Sequence, residues 1–540
     1  MDTFDYVVVG SGAAGAIVAA RLAEDPAVTV CVLEAGPSDW HPWLHLPAGY
    51  IKAVFDPAFT WPYSTEPTHW TNGRRIPIPQ GRTLGGSTSL NGLVYNRGQA
   101  EDFDGWAAQG NPGWSFADVL PYFRRTERRV GSTDETHAGR DGPLPVTGCD
   151  WSHPICEAFL QGATEELGLP RNPDYNGAQQ AGVGYFQRTI HRGRRMSTAR
   201  TFLHPAQKRG RNLTVRTDAQ ATQIVLDGGR ATGVRYRQAG ARGVERTVAA
   251  RREVIVSAGA LNTPRLLQLS GIGPAALLQR HGIAVQRDLP GVGAHLKDHF
   301  SIRLVARTQG IATINELARF PRLVGQLARW AAGRPSVLAL SPSVVHWFAG
   351  SRAGLDRPDL QGVFAPASYR EGYVGRLDTY PGMTCGVWQH RPRSHGTVEI
   401  ASADPAAAPV VQPRYLEHED DRRTLLDGAR LARRLLQTRA LAPYVVAESM
   451  PGVAVQRDDE LLDYIRRYGV SSYHVNGSAR MGPAADAGAV VDARLRVHGL
   501  QGLRIADASV MPEIPSANTC AATMMIGEKA ADLIREDGRR

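Results

Sequence analysis

The chain has 540 residues, enough for a sizeable core and for three to four domains. Its 42% hydrophobic content is that of a soluble globular protein, and no stretch nears ~18 uninterrupted apolar residues, so no transmembrane span is expected. The net charge of +10 comes from scattered arginines, with no basic block of the kind that binds nucleic acid.

The five cysteines (Cys31, Cys149, Cys156, Cys385, Cys520) are odd in number and form no CxxC pair, so neither a disulfide framework nor a zinc site is expected. The first strand begins by about residue 5, which leaves no room for a signal peptide, and a cytoplasmic protein is expected.

Residues 5–36 read as strand, Gly-rich turn, helix, strand and acid. The β-branched run Val7-Val8-Val9 ends in Gly10-Ser11-Gly12-Ala13-Ala14-Gly15, an Ala-rich helix runs from Ala16 to Glu24, and the strand Val28–Leu33 ends at Glu34. Gly10 makes the tight turn, Gly12 lets the backbone approach a pyrophosphate, and Gly15 lets helix pack on strand. The helix N-terminus offers unpaired N–H groups to phosphate. Glu34, roughly 20 residues beyond the last glycine, is placed to bond a ribose hydroxyl. A dinucleotide site follows, whether for NAD or for FAD.

Residues 37–75 are rich in Pro, Trp and His and read as a loop-dominated excursion, a packed surface loop in preference to a lid or subunit contact. In Gly81–Tyr95, Gly85-Gly86 and small hydroxyl residues give a backbone that can pass close to a flat ligand. The flanking Leu84 and Leu93-Val94 argue against a linker, and Arg82 can add charge at a pyrophosphate. Residues 101–130 read as helical with Trp106 and Trp114 in the core, 131–143 as a loop, and 154–167 as a helix. Five short strands follow (Leu213–Val215, Gln223–Leu226, Gly233–Tyr236, Arg246–Ala249, Glu253–Ser257), with Asp227-Gly228-Gly229 as a hairpin turn. They form a β-meander ahead of the buried strand Val254–Val256, which runs into a small-residue turn and a helix ending at Gly271. A basic amphipathic stretch at 316–331 reads as a surface helix in preference to a membrane-binding one. Strands with turns are expected over 397–416, a charged helix over 419–437, a strand at Leu503–Ala506, and a last helix from about Ala521 to Arg535.

Four blocks in this order resemble the glucose–methanol–choline (GMC) flavoprotein oxidoreductases: Gly10–Gly15 with Glu34; Gly81–Tyr95; Gly259–Gly273; and His474–Gly482 with the tail from Asp507 to Glu528. The resemblance implies FAD and an α/β fold. It comprises a Rossmann-like FAD-binding domain (parallel sheet plus β-meander) and an α+β substrate domain on an antiparallel sheet. The expected FAD-binding segments are 1–40, 76–150, 211–300 and 485–540; 41–75 is the excursion, and 151–210 with 301–484 bind substrate.

His474 matches the family's catalytic base, in a motif where Val475 stands for the common Pro and Ser478 for the common Thr. Those departures resemble the choline dehydrogenase and 5-hydroxymethylfurfural oxidase branch more than glucose oxidase. Asn518 matches the second catalytic position. The implied cofactor contacts in the first two blocks are Gly10, Ser11, Gly12, Ala13, Ala14, Gly15, Glu34, Ala35, Arg82, Leu84, Gly85, Gly86, Ser87, Asn91, Gly92, Leu93 and Val94. Later in the chain they are Ala221, Ala258, Gly259, Asp507, Ala508, Asn518 and Thr519. Leu90 stands where some members attach FAD through His, so the FAD is expected to be non-covalent.

The implied reaction is oxidation of an alcohol, expected to be primary, to the aldehyde. His474 takes the hydroxyl proton, Asn518 orients the oxygen, and the carbon sits about 3–3.5 Å from flavin N5 for hydride transfer. The acceptor is oxygen or a quinone or other carrier. A hydroxynitrile lyase-like or fatty-acid photodecarboxylase activity is the alternative on this scaffold, and a chemically silent FAD-binding protein is a further one, against which the retained His474 and Asn518 argue. Tyr473, Trp388 and Tyr95 are the expected aromatic walls, which would suit an apolar or aromatic alcohol. His390 and His395 are read as structural. No carboxylate is assignable to a choline ammonium, and the oligomeric state is open.

Overall fold

The computed structural model describes residues 2–132, 134–238, 243–370 and 376–539. In chain order, the elements that position the site begin with β1 (Asp2–Val9), α1 (Gly15–Leu22), β2 (Val30–Leu33), β3 (Gly182–Tyr185), β4 (Leu213–Arg216), β5 (Ala219–Asp227), β6 (Arg230–Gln238), β7 (Glu245–Val256) and α2 (Asn262–Leu269). They continue with β8 (Phe300–Thr308), β9 (Val345–Ala349), β10 (Leu360–Ala365), β11 (Gly382–Gln389), α3 (Glu419–Leu436), β12 (Val445–Met450), β13 (Val470–Ser471), β14 (Leu503–Ile505) and α4 (Cys520–Asp537).

One seven-stranded sheet has the order β4–β2–β1–β7–β6–β5, with β14 also on β7. The pairs β4–β2, β2–β1, β1–β7 and β7–β14 are parallel. Val7, Val8, Val30, Val32 and Val254–Val256 are fully buried, as in central strands covered on both faces. The strands β5 and β6 join through Gly228 and Gly229 at φ +54° and +81°, the left-handed pair that a two-residue hairpin requires.

Two parts of the expected meander differ. Leu213–Val215 belongs to β4, a parallel edge strand beside β2, and is not part of the hairpins. Arg246–Ala249 and all of Glu253–Ser257 but its last residue lie in one strand, β7, whose first half pairs with β6 and whose second half pairs with β14. The exposed Arg251-Arg252 pair interrupts the apolar alternation without interrupting the strand.

The second seven-stranded sheet, β12–β8–β11–β10–β9–β3 with β13 on β8, is antiparallel throughout. Helix α3 lies against one face, where Gly428 permits close approach: a Cβ there would sit 3.0 Å from the Leu360 and Val387 side chains. The other face carries Ser301, Arg303, Val363, Gly386 and Trp388, and lines the cavity described below.

The excursion at 41–75 is less loop-like than its composition suggests. It holds helical turns at Pro42–His45, Pro47–Gly49 and Tyr50–Ala53, and Tyr50, Val54, Thr60 and Trp61 wall the cavity. The amphipathic stretch splits into Ile314–Leu317 and Arg322–Ala331, and no residue of the latter is buried. Trp106 and Trp114 are fully buried, as expected. Among the described residues no helix is long and apolar enough to cross a membrane, and none of the five cysteines is paired.

Candidate active site

A cavity of about 370 Å³ opens where the C-terminal ends of β1, β2, β7 and β14 meet the second sheet. Ligands of open α/β sheets bind at this end of the strands. The glycines of the first loop divide the work as their spacing predicts. Gly10 takes φ +96°, and a Cβ on it would lie 2.4 Å from the Ser257 carbonyl oxygen. A Cβ on Gly15 would lie 2.1 Å from the Gly10 oxygen. On Gly12 and Gly259 a Cβ would meet nothing within 4 Å, because both face the cavity. Protein thus fills the space at two of these positions, and open volume remains at the two where backbone would meet a dinucleotide. FAD fits this cradle.

Glu34 braces the cradle. Its Oε2 accepts hydrogen bonds from the Ser11 N–H (3.0 Å) and hydroxyl (2.6 Å), and its Oε1 accepts from the Gly36 N–H (2.9 Å). An ionised carboxylate has about four lone-pair sites, so acceptor capacity remains for a ribose hydroxyl. Asp507 closes the adjoining turns, accepting from the Gly259 N–H (2.9 Å), the Thr263 hydroxyl (2.6 Å) and the Ser509 N–H (2.8 Å).

At the far end, the loop after β13 presents His474. Tyr473 takes φ +63° there, its N–H donating to the Ser471 hydroxyl. The His474 N–H donates to Asp298 Oδ1 (2.7 Å), and the other Asp298 oxygen accepts from Ser471 and Tyr415. Burial pushes the Asp298 carboxyl up to about 6.

A one-way chain of hydrogen bonds fixes the His474 tautomer. His299 Nε2 lies 2.7 Å from the His390 carbonyl oxygen, which can only accept, so Nε2 carries hydrogen. In a neutral ring Nδ1 is then the acceptor, and it faces His474 Nδ1 at 2.9 Å. His474 therefore carries its hydrogen on Nδ1 and its lone pair on Nε2. Asn518 Nδ2 donates to that lone pair at 2.9 Å, while Asn518 Oδ1 accepts from Gln361 Nε2 at 3.0 Å. Burial takes the His299 pKa down to about 4. Burial, with His299 adding to it, holds His474 well below the ordinary histidine range. Both rings are neutral near pH 7, and an acceptor (His474 Nε2) and a donor (Asn518 Nδ2) stand together on the cavity wall. A substrate hydroxyl that takes the place of the Asn518–His474 bond can donate to the first and accept from the second.

Most of the residues expected from sequence meet at this cavity. Ser11, Ala13, Ala14 and Ala35 line it beside Gly10, Gly12 and Glu34; Gly86, Ser87 and Asn91 to Val94 line it from the second block. Ala221, Ala258, Gly259, Asp507, Ala508, Asn518 and Thr519 complete that set. Four do not reach the wall. Gly15 is packed as above, and Leu84 is buried with its carbonyl accepting from Ser89 Oγ. Gly85 turns at φ +85° and donates to the Ser11 carbonyl, bracing the first loop from outside. Arg82 stacks on Trp61, its guanidinium 5.1 Å from the ring centre.

Trp388 and Tyr473 line the cavity as expected, but Tyr95 does not. Tyr95 is buried in the core beside Arg97 and Glu127. His390 contributes only its carbonyl, and His395 sits against His295 away from the cavity. Sequence reasoning missed His299, Asp298 and Gln361. Only an Asp-His pair at the head of the alternating stretch 300–308 signalled the first two, and that pattern is common.

A family model described as GMC oxidoreductase matches residues 4–301, and its C-terminal counterpart matches residues 392–527. The chain is a GMC oxidoreductase. An oxygen-dependent choline dehydrogenase of Brucella anthropi is 41% identical over 533 residues, 98% of this chain and 95% of that one. One from Staphylococcus aureus is 38% identical over 539 residues, 99% and 93% of the two chains. Among solved structures, pyridoxine 4-oxidase from Mesorbium loti aligns with TM-score 0.88 at 28% identity over 99% of both chains. A variant of the Aspergillus oryzae formate oxidase aligns with TM-score 0.92 at 27% identity over 100% of this chain and 99% of that one. This GMC oxidoreductase is an FAD-dependent enzyme that oxidises CH–OH groups.

Proposed function

We propose that His474 Nε2 takes the hydroxyl proton of the alcohol while the Asn518 amide holds the same oxygen. The observation that carries this reading is the forced direction of the His390–His299–His474–Asn518 chain, which leaves a neutral imidazole with its lone pair at the cavity. FAD, when bound, supplies the acceptor of the carbinol hydride. Imidazole suits the proton step because neutral His is a base near physiological pH. Asn518 does not titrate, so it positions the oxygen and exchanges no proton.

FAD is held without a covalent bond in this reading, since Leu90 on the cavity wall has no nucleophile. The residues assigned above that line the cavity hold it, with Gly15, Leu84 and Gly85 shaping the loops from behind and Arg82 set back on Trp61. The FAD-binding segments are 1–40, 76–150, 211–300 and 485–540, and the substrate segments are 151–210 and 301–484. Dioxygen is the electron acceptor, a reading supported by the name of the 41%-identical relative. The enzyme acts in the cytoplasm, where its unpaired cysteines would stay reduced.

The test is product stoichiometry with purified holoenzyme and a panel of primary alcohols. One aldehyde and one hydrogen peroxide per alcohol under air is the expected result. Aldehyde formed only with an added dye would overturn the choice of oxygen, and no aldehyde under either condition would overturn the assigned roles.

A further inference from the structure

We propose that Gln361 and Asn96 are positioning residues for the oxidation: together they lock the Asn518 amide with its nitrogen turned to His474 and the substrate oxygen. The inference rests on alcohol oxidation at His474 and Asn518 and deepens it. An Asn518 amide turned over would offer Oδ1, an acceptor that competes with His474 Nε2 for the hydroxyl proton. A second one-way chain, independent of the one through His299, prevents this. It starts at Gly98, which turns at φ +105° and whose N–H donates to the Asn96 side chain at 3.2 Å. A backbone N–H can only donate, so the atom it meets is Asn96 Oδ1. Asn96 Nδ2 therefore donates to Gln361 Oε1 (3.3 Å), and Gln361 Nε2 donates to Asn518 Oδ1 (3.0 Å). Asn518 Nδ2 is left for His474 Nε2.

Two further anchors agree with this direction. The Ser516 carbonyl accepts at 2.7 Å from Gln180, so the Gln180 atom there is Nε2, which also donates to Asn96 Oδ1 at 3.5 Å. The Pro358 carbonyl fixes Gln99 in the same way. Gln99 Nε2 donates to Pro358 (3.0 Å) and to Gln180 Oε1 (2.9 Å), while Gln99 Oε1 accepts from Arg357 (3.0 Å) and Arg391 (3.1 Å). Turning any one amide sets oxygen against oxygen or N–H against N–H, so the orientation is collective. Asp102 ties down the loop itself, accepting from the Ser516 N–H (2.7 Å) and hydroxyl (2.9 Å) two residues before Asn518. Asn96, Gln99, Gln180 and Gln361 are buried and none lines the cavity, so they act on the reaction through Asn518.

Carboxylate variants reverse a link while keeping its size. Holoenzymes carrying Gln361→Glu, Gln361→Met, Asn96→Asp, and Asn96→Asp with Gln361→Met are compared with wild type by anaerobic stopped-flow. The reductant is whichever of choline, benzyl alcohol and 1-hexanol reduces wild type fastest. In Gln361→Glu the ionised side chain has no donor for Asn518 Oδ1, so the amide turns over; in Gln361→Met the lock is absent but nothing reverses it. From about pH 6.5 to about pH 9 the limiting rate of Gln361→Met should stay level. That of Gln361→Glu should fall with rising pH to about a tenth of the Gln361→Met rate or less, because a protonated carboxyl donates as the amide did and an ionised one cannot. The apparent alcohol dissociation constant should move less than about threefold, since a turned amide still accepts from the hydroxyl. Asn96→Asp should show the same decline, and adding Gln361→Met should remove it by cutting the relay. A role in the fold alone predicts the opposite order, since glutamate keeps the bond from Asn96 and methionine loses both bonds. Gln361→Glu and Asn96→Asp both as fast as Gln361→Met at about pH 9, or an Asn96→Asp defect that Gln361→Met does not relieve, overturns the proposal while leaving alcohol oxidation standing. No reduction of wild type by any of the three alcohols overturns both.

Discussion

Replacing His299 with leucine removes the acceptor that holds the His474 proton on Nδ1. The Nδ1–H then lies buried with no partner from His299, at a cost of about 1–3 kcal/mol. Each ~1.4 kcal/mol is tenfold in a population or a rate, so the tautomer with its lone pair on Nε2 becomes about 5- to 140-fold rarer. Reduction of bound flavin by an alcohol should slow by the same factor. Asparagine places an oxygen near the position of His299 Nδ1, so His299→Asn should recover most of the rate. Anaerobic stopped-flow at saturating alcohol is the assay, with flavin absorbance and circular dichroism establishing that each variant is folded and loaded. A His299→Leu rate within twofold of wild type, or a His299→Asn rate no better than that of leucine, would refute the tautomer argument.

The glycine loop gives a paired expectation. Gly12→Ala puts a methyl into open cavity, so apo-protein stability should stay within about 1 kcal/mol while the FAD dissociation constant rises tenfold or more. Gly15→Ala puts it 2.1 Å from the Gly10 oxygen and should destabilise the fold itself, by about 1–3 kcal/mol. Thermal unfolding of the apo-protein and FAD titration separate the two. The pH profile follows from the depressed His474 pKa: a base whose folded pKa lies below the ordinary ~6.5 is already neutral above that pH. Alcohol-dependent flavin reduction should be level from about pH 6.5 upward and fall only in more acidic solution. A decline that begins above pH 7 contradicts this assignment.

The dinucleotide end was legible because its chemistry is local. Gly10, Gly12, Gly15 and Glu34 lie in one strand–helix–strand unit, and their tasks follow from spacing alone. His474 and Asn518 were legible only through resemblance to a family, since nothing in their local sequence brings together residues 44 positions apart. His299 was illegible for a related reason. Its role depends on β8 pairing with β13 and on a carbonyl at His390, contacts 175 and 91 positions distant. Tyr95 was misplaced because an aromatic beside a Gly-rich loop suits a core and a cavity wall equally well. The excursion at 41–75 was undervalued because short helical turns initiated by Pro42 and Pro47 carry no long apolar period.

The central claim is that His474 removes the alcohol proton. Holoenzyme carrying His474→Ala, mixed anaerobically with an alcohol that reduces the wild type, tests it most directly. FAD content should match wild type while flavin reduction slows by about 10²–10⁴-fold, the range for loss of a general base. Reduction within threefold of wild type would contradict the account.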